Sequence, residues 1–201
     1  MVKRPLPSGS GALLVLVVLI GINLRPFLTA IGPLAGEIDA QLALGMDRLA
    51  WVTLLPLLLI GVGVLLTPAL LDKTGPRPLL GAALLLLMLG SALRLGLSSG
   101  TLLIASAALC GLGSALVQGV LPGLIKRAFA GKVPLVMGIF SACMMGGGAL
   151  GASLTPQLAA SLDWSRALAL WSLPVLLAMV WLIWRVRLPS AAAVAIPHGE
   201  Q

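Results

Sequence analysis

The sequence predicts an all-α membrane protein with six transmembrane helices, and three observations support this fold class. Of the 201 residues, 59% are hydrophobic and only 9% are charged, and the mean hydropathy is +1.11. A chain of this composition cannot hide its apolar surface inside one water-soluble globule. Apolar blocks such as GAALLLLMLG do not alternate with polar residues, which favours helices over barrel strands. A helix also satisfies its own backbone hydrogen bonds in lipid.

Six apolar runs have the length of roughly 20 residues that a hydrocarbon layer of about 30 Å requires of a helix. They span residues 12–38, 49–71, 78–97, 101–125, 133–160 and 166–186. The first run is too long for a signal-peptide core and lacks a convincing cleavage site, so we expect it to be retained. This pattern predicts a transmembrane domain over residues 12–187. It is preceded by an N-terminal segment, 1–11, and followed by a tail or the start of an interdomain linker, 188–201.

Basic residues are concentrated on one side of the predicted membrane. They precede the first run, separate the second from the third and the fourth from the fifth, and follow the sixth: Lys3, Arg4, Lys73, Arg77, Lys126, Arg127, Lys132, Arg185 and Arg187. By the positive-inside rule, both termini are predicted to be cytoplasmic. The formal net charge of +7 therefore reflects membrane topology, and no nucleic-acid partner is predicted.

The titratable residues argue against catalysis and against a cofactor. All six acidic residues lie outside the runs or at their ends, and the single histidine, His198, is in the tail. Serines at membrane depth therefore have no base to activate them, and the interior has no proton relay. Cys110 and Cys143 have neither metal-ligand spacing nor a disulfide pattern, so we interpret them as apolar filler. We predict no catalytic residue, no metal and no cofactor.

Arg25 stands in the middle of the first run, beside Pro26. At 1.5 Å per residue it lies roughly 20 Å from the start of the run, too far from either surface for its side chain to reach water comfortably. Inserting an arginine at this depth costs about 2.5–3.5 kcal/mol. Either carbonyls or a neighbouring helix satisfy the guanidinium, or it lines a water-filled path and binds an anion. The lack of an interior acid favours the anion.

Three more polar residues are predicted to line the same path. Thr29 follows Arg25 by four residues and shares its helix face. Ser114 and Gln118 belong to a stripe of polar and small residues on the fourth run. Arg25, Thr29, Ser114 and Gln118 are therefore the predicted substrate-binding residues. Arg94, near the outer end of the third run, is expected to extend its side chain to the membrane interface instead.

Glycines in the fourth and fifth runs are predicted to let helix backbones approach closely. These glycines are Gly119, Gly123, Gly147 and Gly151. Close approach of small residues is how membrane helices pack without a hydrophobic driving force.

The loop between the second and third runs gives the first indication of a family. It reads Asp72-Lys73-x-Gly75-x-Arg77. This pattern resembles the signature loop of the major facilitator superfamily, although Pro68 and Pro76 stand where that loop has glycine and arginine. The resemblance implies a conformational role, in which the loop braces the contact between two halves of a transporter.

Longer segments resemble the cyanate-transporter (CynX-type) branch of that superfamily. They are LIGINLRPFLTAIGPL in the first run, the stretch from GLGSALVQGVLPG to MMGGGALGASLTP across the fourth and fifth, and WSLPVLLAMVWLIW in the sixth. The similarity runs along nearly the whole chain. It implies a transporter of two six-helix halves in a bacterial inner membrane, with this chain as the amino-terminal half and cyanate as the substrate.

The predicted function is a secondary transporter, or its amino-terminal half, that moves a small anion by alternating access. Its expected partners are the lipid bilayer, the anion and a second six-helix half, from the same gene, from a split gene or from a second copy of the chain. Two alternatives remain open. One is transport of other small organic or drug-like solutes, and the other is a non-transporting membrane scaffold of half length.

Overall fold

The computed structural model describes residues 10–97 and 99–186, which form helices joined by short turns. The helices are α1 (Ser10–Asn23), α2 (Pro26–Thr29), α3 (Ile31–Leu42), α4 (Gly45–Thr74), α5 (Pro76–Ala92), α6 (Gly100–Ala128), α7 (Val133–Leu162), α8 (Trp164–Ala169) and α9 (Ser172–Arg185). The predicted all-α fold is confirmed. The predictions for Lys3, Arg4, Arg187 and the segment 188–201 concern residues outside the described ranges.

Five stretches of helix are long and apolar enough to cross a membrane: Ser10–Thr29, Gly45–Thr74, Gly100–Ala128, Val133–Leu162 and Trp164–Arg185. The third predicted run forms a shorter apolar helix, α5, of 17 residues. That length is at the lower limit of about 17 residues for a membrane span. The chain is therefore a multi-pass membrane protein.

Local chemistry determines where several of these helices begin. Pro76 is the first residue of α5, where a missing N–H costs no helical hydrogen bond. Ser99 caps α6, and its hydroxyl accepts a hydrogen bond from the Leu102 amide at 3.4 Å. α4 begins at Gly45, whose amide donates to the Asp39 carboxylate at 2.8 Å. The helices begin slightly before the predicted apolar runs because these local contacts, and not hydropathy, set the boundaries.

Small residues hold the bundle together at backbone distance. α6 packs against both α4 and α5, while α1 packs against α7 and α9. A Cβ added at Gly111 would lie 2.7 Å from Pro56 Cα, and one at Gly113 would lie 2.6 Å from the Ala83 carbonyl oxygen. The absence of side chains at these glycines lets α6 approach both neighbouring helices closely.

Two hydrophobic clusters fill the interior. The larger includes Leu16, Ile20, Leu84 and Leu121, and the smaller includes Ile38, Leu103, Trp164 and Leu168. By contrast, α4 and α9 leave large apolar side chains exposed, among them Leu58, Leu65, Leu66, Leu173, Leu177 and Ile183. Exposed apolar surface on this scale suits contact with lipid or with another protein segment.

Arg94 is the clearest departure from the sequence prediction. We expected its side chain at the membrane interface, but only 1% of the residue is exposed. Arg94 lies in the turn after α5, and its guanidinium points into the protein. Nε donates to Ser106 Oγ and Nη1 donates to the Phe27 carbonyl oxygen, each at 3.1 Å. The prediction was wrong because the folded interior offers two acceptors that the sequence does not reveal.

Candidate functional site

The first membrane span is broken at its middle, beside Arg25. α1 ends at Asn23, a bend follows at Leu24 and Arg25, and the short helix α2 begins at Pro26. Pro26 has no N–H, so the Ile22 carbonyl loses its helical donor. A second interruption at Ala30 separates α2 from α3. Arg25 therefore stands where the backbone of the span departs from regular helical pairing.

Glycines of α7 pack directly against this break. Gly147 lies against the Ile22 carbonyl oxygen, and a Cβ at Gly151 would lie 2.7 Å from Pro26 Cα. A Cβ at Gly148 would lie 3.3 Å from the Arg25 Cβ. The glycines therefore let the α7 backbone support the broken segment from one side. This is the close approach that the sequence predicted for Gly147 and Gly151, and the helix they approach is the first span.

A cavity of about 80 Å³ lies beside the break. It is lined by Leu24, Arg25, Phe27, Leu28, Leu57, Ile60, Ser114, Gln118 and Met144. A void of about 10–15 Å³ is enough to hold one water molecule, so this cavity has room for several waters or a small anion. Three of the four predicted substrate-binding residues, Arg25, Ser114 and Gln118, meet here.

The polar groups of the cavity form a short chain. The Ser114 hydroxyl donates to the Leu24 carbonyl oxygen, and the Gln118 amide donates to Ser114 Oγ, both at a long 3.4 Å. The bend frees the Leu24 carbonyl because the Leu28 amide bonds to the Arg25 carbonyl instead, at 3.0 Å. Long, weak bonds of this kind leave the Gln118 side chain able to turn toward a ligand.

The Arg25 guanidinium is available for binding. Arg25 is exposed, and within residues 10–97 and 99–186 its side chain has neither an ion pair nor a hydrogen bond. The ion pair found in those ranges joins Asp163 to Arg166 at 3.5 Å, at the far end of α7. The sequence left open that carbonyls or a neighbouring helix satisfy the Arg25 guanidinium. Within the described residues, neither does. An unpaired guanidinium beside a small cavity can bind an anion with directional hydrogen bonds.

Thr29 lies beside Arg25 but outside the cavity that the other three predicted residues line. Its hydroxyl is 2.8 Å from the Gly148 carbonyl oxygen and 3.1 Å from the Arg25 carbonyl oxygen, and it does not line the cavity. Helical spacing placed Thr29 on the face of Arg25, and both side chains lie against Gly148 of α7, but the Thr29 hydroxyl is directed to backbone acceptors. The geometry gives Thr29 a role in joining α2 to α7.

Sequence reasoning missed the apolar walls of the cavity. Leu57 and Ile60 come from α4 and Met144 comes from α7. An apolar side chain in an apolar run carries no signal that separates a cavity wall from a lipid-facing position. Leu57 and Ile60 are three residues apart and therefore share a helix face, but in a run of apolar residues this spacing does not distinguish them from their neighbours.

The predicted conformational loop lies at the end of the bundle where the basic residues cluster. Gly75 joins α4 to α5 with φ 83° and ψ 166°, a conformation that only glycine adopts readily. Arg77 Nη2 donates to the Ile183 carbonyl oxygen of α9 at 3.0 Å. Asp72 and Lys73 are exposed in the last turn of α4, and neither has an ion pair in the described ranges. Within this chain, Arg77 therefore ties α5 to α9.

The two predicted packing glycines of α6 differ from each other. A Cβ at Gly119 would lie 2.5 Å from the Thr67 side chain, so α4 approaches α6 closely there. At Gly123 a Cβ meets no described atom within 4 Å. Gly123 instead lines a hollow of about 50 Å³ with Leu71, Pro76, Val120, Leu124 and Arg127. The expected close packing at Gly123 is not present, because the chain beside it turns from α4 into α5.

Comparison with known proteins gives a family and three relatives. A model of the Major Facilitator Superfamily matches residues 10–200. The chain is 39% identical over 168 residues to the cyanate transport protein CynX of Escherichia coli (strain K12), covering 83% of this chain and 44% of that protein. It is 34% identical over 168 residues to a 2-nitroimidazole transporter of the same organism, covering 83% of this chain and 42% of the relative.

The third relative is the uncharacterized transporter YycB of Bacillus subtilis (strain 168), 32% identical over 172 residues. That match covers 84% of this chain and 42% of the relative. The chain thus spans less than half the length of the curated relatives that it matches.

Proposed function

The chain belongs to the Major Facilitator Superfamily, and on this premise we propose that it is one half of a secondary transporter that binds a small anion at Arg25. The other half is supplied by a second six-helix unit. The solute crosses by alternating access, and cyanate is the anion we propose. The membrane is a bacterial inner membrane, with both termini on the cytoplasmic side.

The observation that carries this proposal is the unpaired Arg25 guanidinium at a break in a membrane helix. Transporter sites are commonly formed near the middle of the bilayer by discontinuous helices, whose interrupted backbone lines the binding cavity. An ionisable residue in a membrane span marks a solute or ion pathway unless it is paired. Arg25 satisfies both conditions, since it lies at the break and lacks a partner in the described residues.

The cavity supports a small solute. Its volume is about 80 Å³, and its polar groups are the guanidinium of Arg25, the hydroxyl of Ser114 and the amide of Gln118. A guanidinium binds an anion through parallel N–H donors, and an amide adds a further donor. Cyanate is small and carries one negative charge, and one relative is named as a cyanate transport protein.

The breaks in the first span support alternating access. α1, α2 and α3 are joined by irregular backbone at residues 24–25 and 30, and α4, α6 and α7 each contain proline. Interrupted and proline-containing helices bend at defined points, which allows one part of a bundle to move against another.

The test is equilibrium binding of labelled cyanate to the 201-residue chain in lipid nanodiscs. Arg25→Gln removes the charge and approximately keeps the length, and we expect it to weaken binding at least tenfold. Arg48→Gln makes the same change at an exposed position in the first turn of α4, outside the cavity, and is the matched control. Unchanged affinity in Arg25→Gln, or an equal loss in both variants, would overturn the proposal.

A second candidate is transport of small organic solutes without a negative charge. Six of the nine cavity residues are apolar side chains, and one relative is named as a 2-nitroimidazole transporter. Such a solute would bind mainly by apolar contact, so its affinity would survive Arg25→Gln. Binding of labelled 2-nitroimidazole that is unaffected by this substitution, together with no cyanate binding, would favour the second candidate.

A further inference from the structure

Arg94 is a fully buried cation that contacts the candidate site from outside the cavity. Its residue exposure is 1%, and it is not among the residues that line the cavity. Nη1 donates to the Phe27 carbonyl oxygen at 3.1 Å, and Nε donates to Ser106 Oγ at the same distance. Phe27 belongs to α2, two residues after Arg25, and is itself a wall of the cavity.

Burial of this guanidinium is costly. No carboxylate of the described residues pairs with Arg94, and its Nη2 is buried without a hydrogen-bond partner there. A buried donor without a partner destabilises the folded state, and it does so more strongly when the group is charged. A neutral residue at position 94 would avoid this cost, so the charge needs a reason other than packing.

The turn after α5 is joined to its neighbours without the help of the Arg94 guanidinium. The turn is already fixed through Ser165, whose hydroxyl donates to the Arg94 carbonyl oxygen and accepts from the amides of Gly96 and Leu97. Those bonds use the backbone of residues 94–97, and any residue at position 94 would keep them. The Arg94 side chain adds two further links, one to Ser106 on α6 and one to the Phe27 carbonyl, and only the second reaches the candidate site.

The Phe27 carbonyl belongs to a segment that cannot hold its own position. α2 is four residues long, and irregular backbone bounds it at Arg25 and Ala30. A helix this short is unstable by itself because too few hydrogen bonds offset the ordering of its residues. α7 supports it through Gly148 and Gly151, and Arg94 holds it by a separate contact with the turn between α5 and α6.

We propose that Arg94 is a positioning residue that fixes α2 and thereby directs Arg25 toward the cavity. The inference rests on the proposed function of the site, and it adds a second arginine that acts through the backbone and does not touch the solute. It divides two roles between two cations. Arg25 binds the anion, and Arg94 sets the orientation from which Arg25 binds.

The test uses three variants of the 201-residue chain in lipid nanodiscs. Arg94→Gln removes the charge and the fork of donors, and Arg94→Lys keeps the charge but cannot reach both acceptors with planar geometry. Ser106→Ala removes the acceptor of Arg94 Nε, together with the bond from the Ser106 hydroxyl to the Leu103 carbonyl, but leaves the bond to Phe27 in place, and it is the control. Hydrogen exchange is followed at the amides of residues 27–31 and, for comparison, at α9, and cyanate affinity is measured on the same samples.

We expect exchange at residues 27–31 to accelerate at least tenfold in Arg94→Gln and at least threefold in Arg94→Lys, with α9 unchanged. Cyanate affinity should fall at least fivefold in Arg94→Gln. Ser106→Ala should change both measurements less than twofold. A purely structural role would instead accelerate exchange across the whole bundle.

An exchange rate at residues 27–31 that stays within twofold of the native rate in either Arg94 variant overturns the proposal. So does an equal effect of Ser106→Ala. If the native chain binds no cyanate, the proposed function fails, while the exchange measurement still decides whether Arg94 fixes α2.

Discussion

Gly147 lies against the carbonyl oxygen of Ile22, the oxygen that loses its helical donor because residue 26 is proline. A Cβ at position 147 would overlap that carbonyl. The missing N–H of Pro26 and the missing side chain of Gly147 thus act at the same carbonyl group, that of Ile22. The first breaks the helix, and the second lets α7 pack against the break.

Substitution of Gly147 by alanine should destabilise the bundle. A new methyl group must displace either α7 or the Ile22 backbone, and overpacking of this kind costs about 1–3 kcal/mol. Gly146→Ala is the matched control because its Cβ meets no described atom within 4 Å. It should leave the unfolding temperature unchanged or slightly higher, since alanine favours a helix. Equal unfolding temperatures for the two variants, measured in detergent, would contradict this account of the break.

Substitution of Thr29 should lower the stability of the fold, whereas substitution of Gln118 should lower the affinity for cyanate. Thr29→Val removes the 2.8 Å hydrogen bond to the Gly148 carbonyl and should lower stability by about 0.5–1.5 kcal/mol. Gln118→Leu removes a donor from the cavity and should weaken cyanate binding about tenfold, or about 1.4 kcal/mol. Thermal unfolding and equilibrium binding are measured on both variants. A larger loss of affinity in Thr29→Val than in Gln118→Leu would return Thr29 to the binding site.

Gly75→Ala should destabilise the turn between α4 and α5. At φ 83° and ψ 166° a side chain is strained, and such positions cost of order 1–3 kcal/mol. Gly81→Ala, one helical turn into α5, adds a methyl group that meets no described atom and should be neutral or stabilising. The difference between their unfolding temperatures measures the strain, and no difference would show that the turn relaxes.

Arg77→Ala should loosen the end of α9 without changing helix content. The substitution removes the 3.0 Å hydrogen bond to the Ile183 carbonyl, so amides near Arg185 should exchange faster. Asp72→Asn changes an exposed carboxylate that has no ion pair in the described ranges, and it should leave α9 unchanged. Circular dichroism checks helix content in both variants. Faster exchange of α9 in Asp72→Asn would show that the loop acts as a unit.

The chain alone should show no proton-coupled transport. Among the described residues, Glu37 and Asp39 lie in α3, Asp47 and Asp72 lie in the first and last turns of α4, and Asp163 follows α7, so none of these acids lies in the middle of a spanning helix. The chain is reconstituted in vesicles under an inward proton gradient, and internal pH and labelled cyanate are followed together. A pH change that depends on both the gradient and cyanate would reveal a proton carrier within this half.

Hydropathy was enough to predict the membrane spans, because lipid imposes a minimum apolar length on every crossing. It did not predict where the first span breaks. Pro26 accounts for the first interruption because it removes a helical N–H donor, and Pro33, three residues after the second interruption at Ala30, removes another. The third helix was predicted, but its end was placed too late, since residues 93–97 are apolar enough to continue a span and yet lie in the turn after α5.

Helical periodicity indicated that Arg25, Ser114 and Gln118 would share one space, and the structure brings them to one cavity. Their role in binding stays a prediction. Helical spacing also put Thr29 on the face of Arg25, and both side chains lie against Gly148, but the Thr29 hydroxyl bonds to backbone carbonyls and does not line the cavity. The prediction for Arg94 rested on its position near the end of an apolar run, and it was wrong because the acceptor, the Phe27 carbonyl, becomes available only after the backbone has been interrupted.

The positive charge of the cavity and several of its apolar walls come from different helices. The cation comes from residue 25 in the first span, whereas Leu57, Ile60 and Met144, contributed by α4 and α7, shape the opposite walls. Exchanging one apolar wall residue for another alters the outline of the cavity but leaves the membrane insertion of each helix nearly unchanged. If the cavity binds the solute as proposed, substitutions among these apolar residues can change which solute fits without disturbing folding. Under the proposed function, a change of solute would therefore require no change at Arg25 or at the glycines of α7.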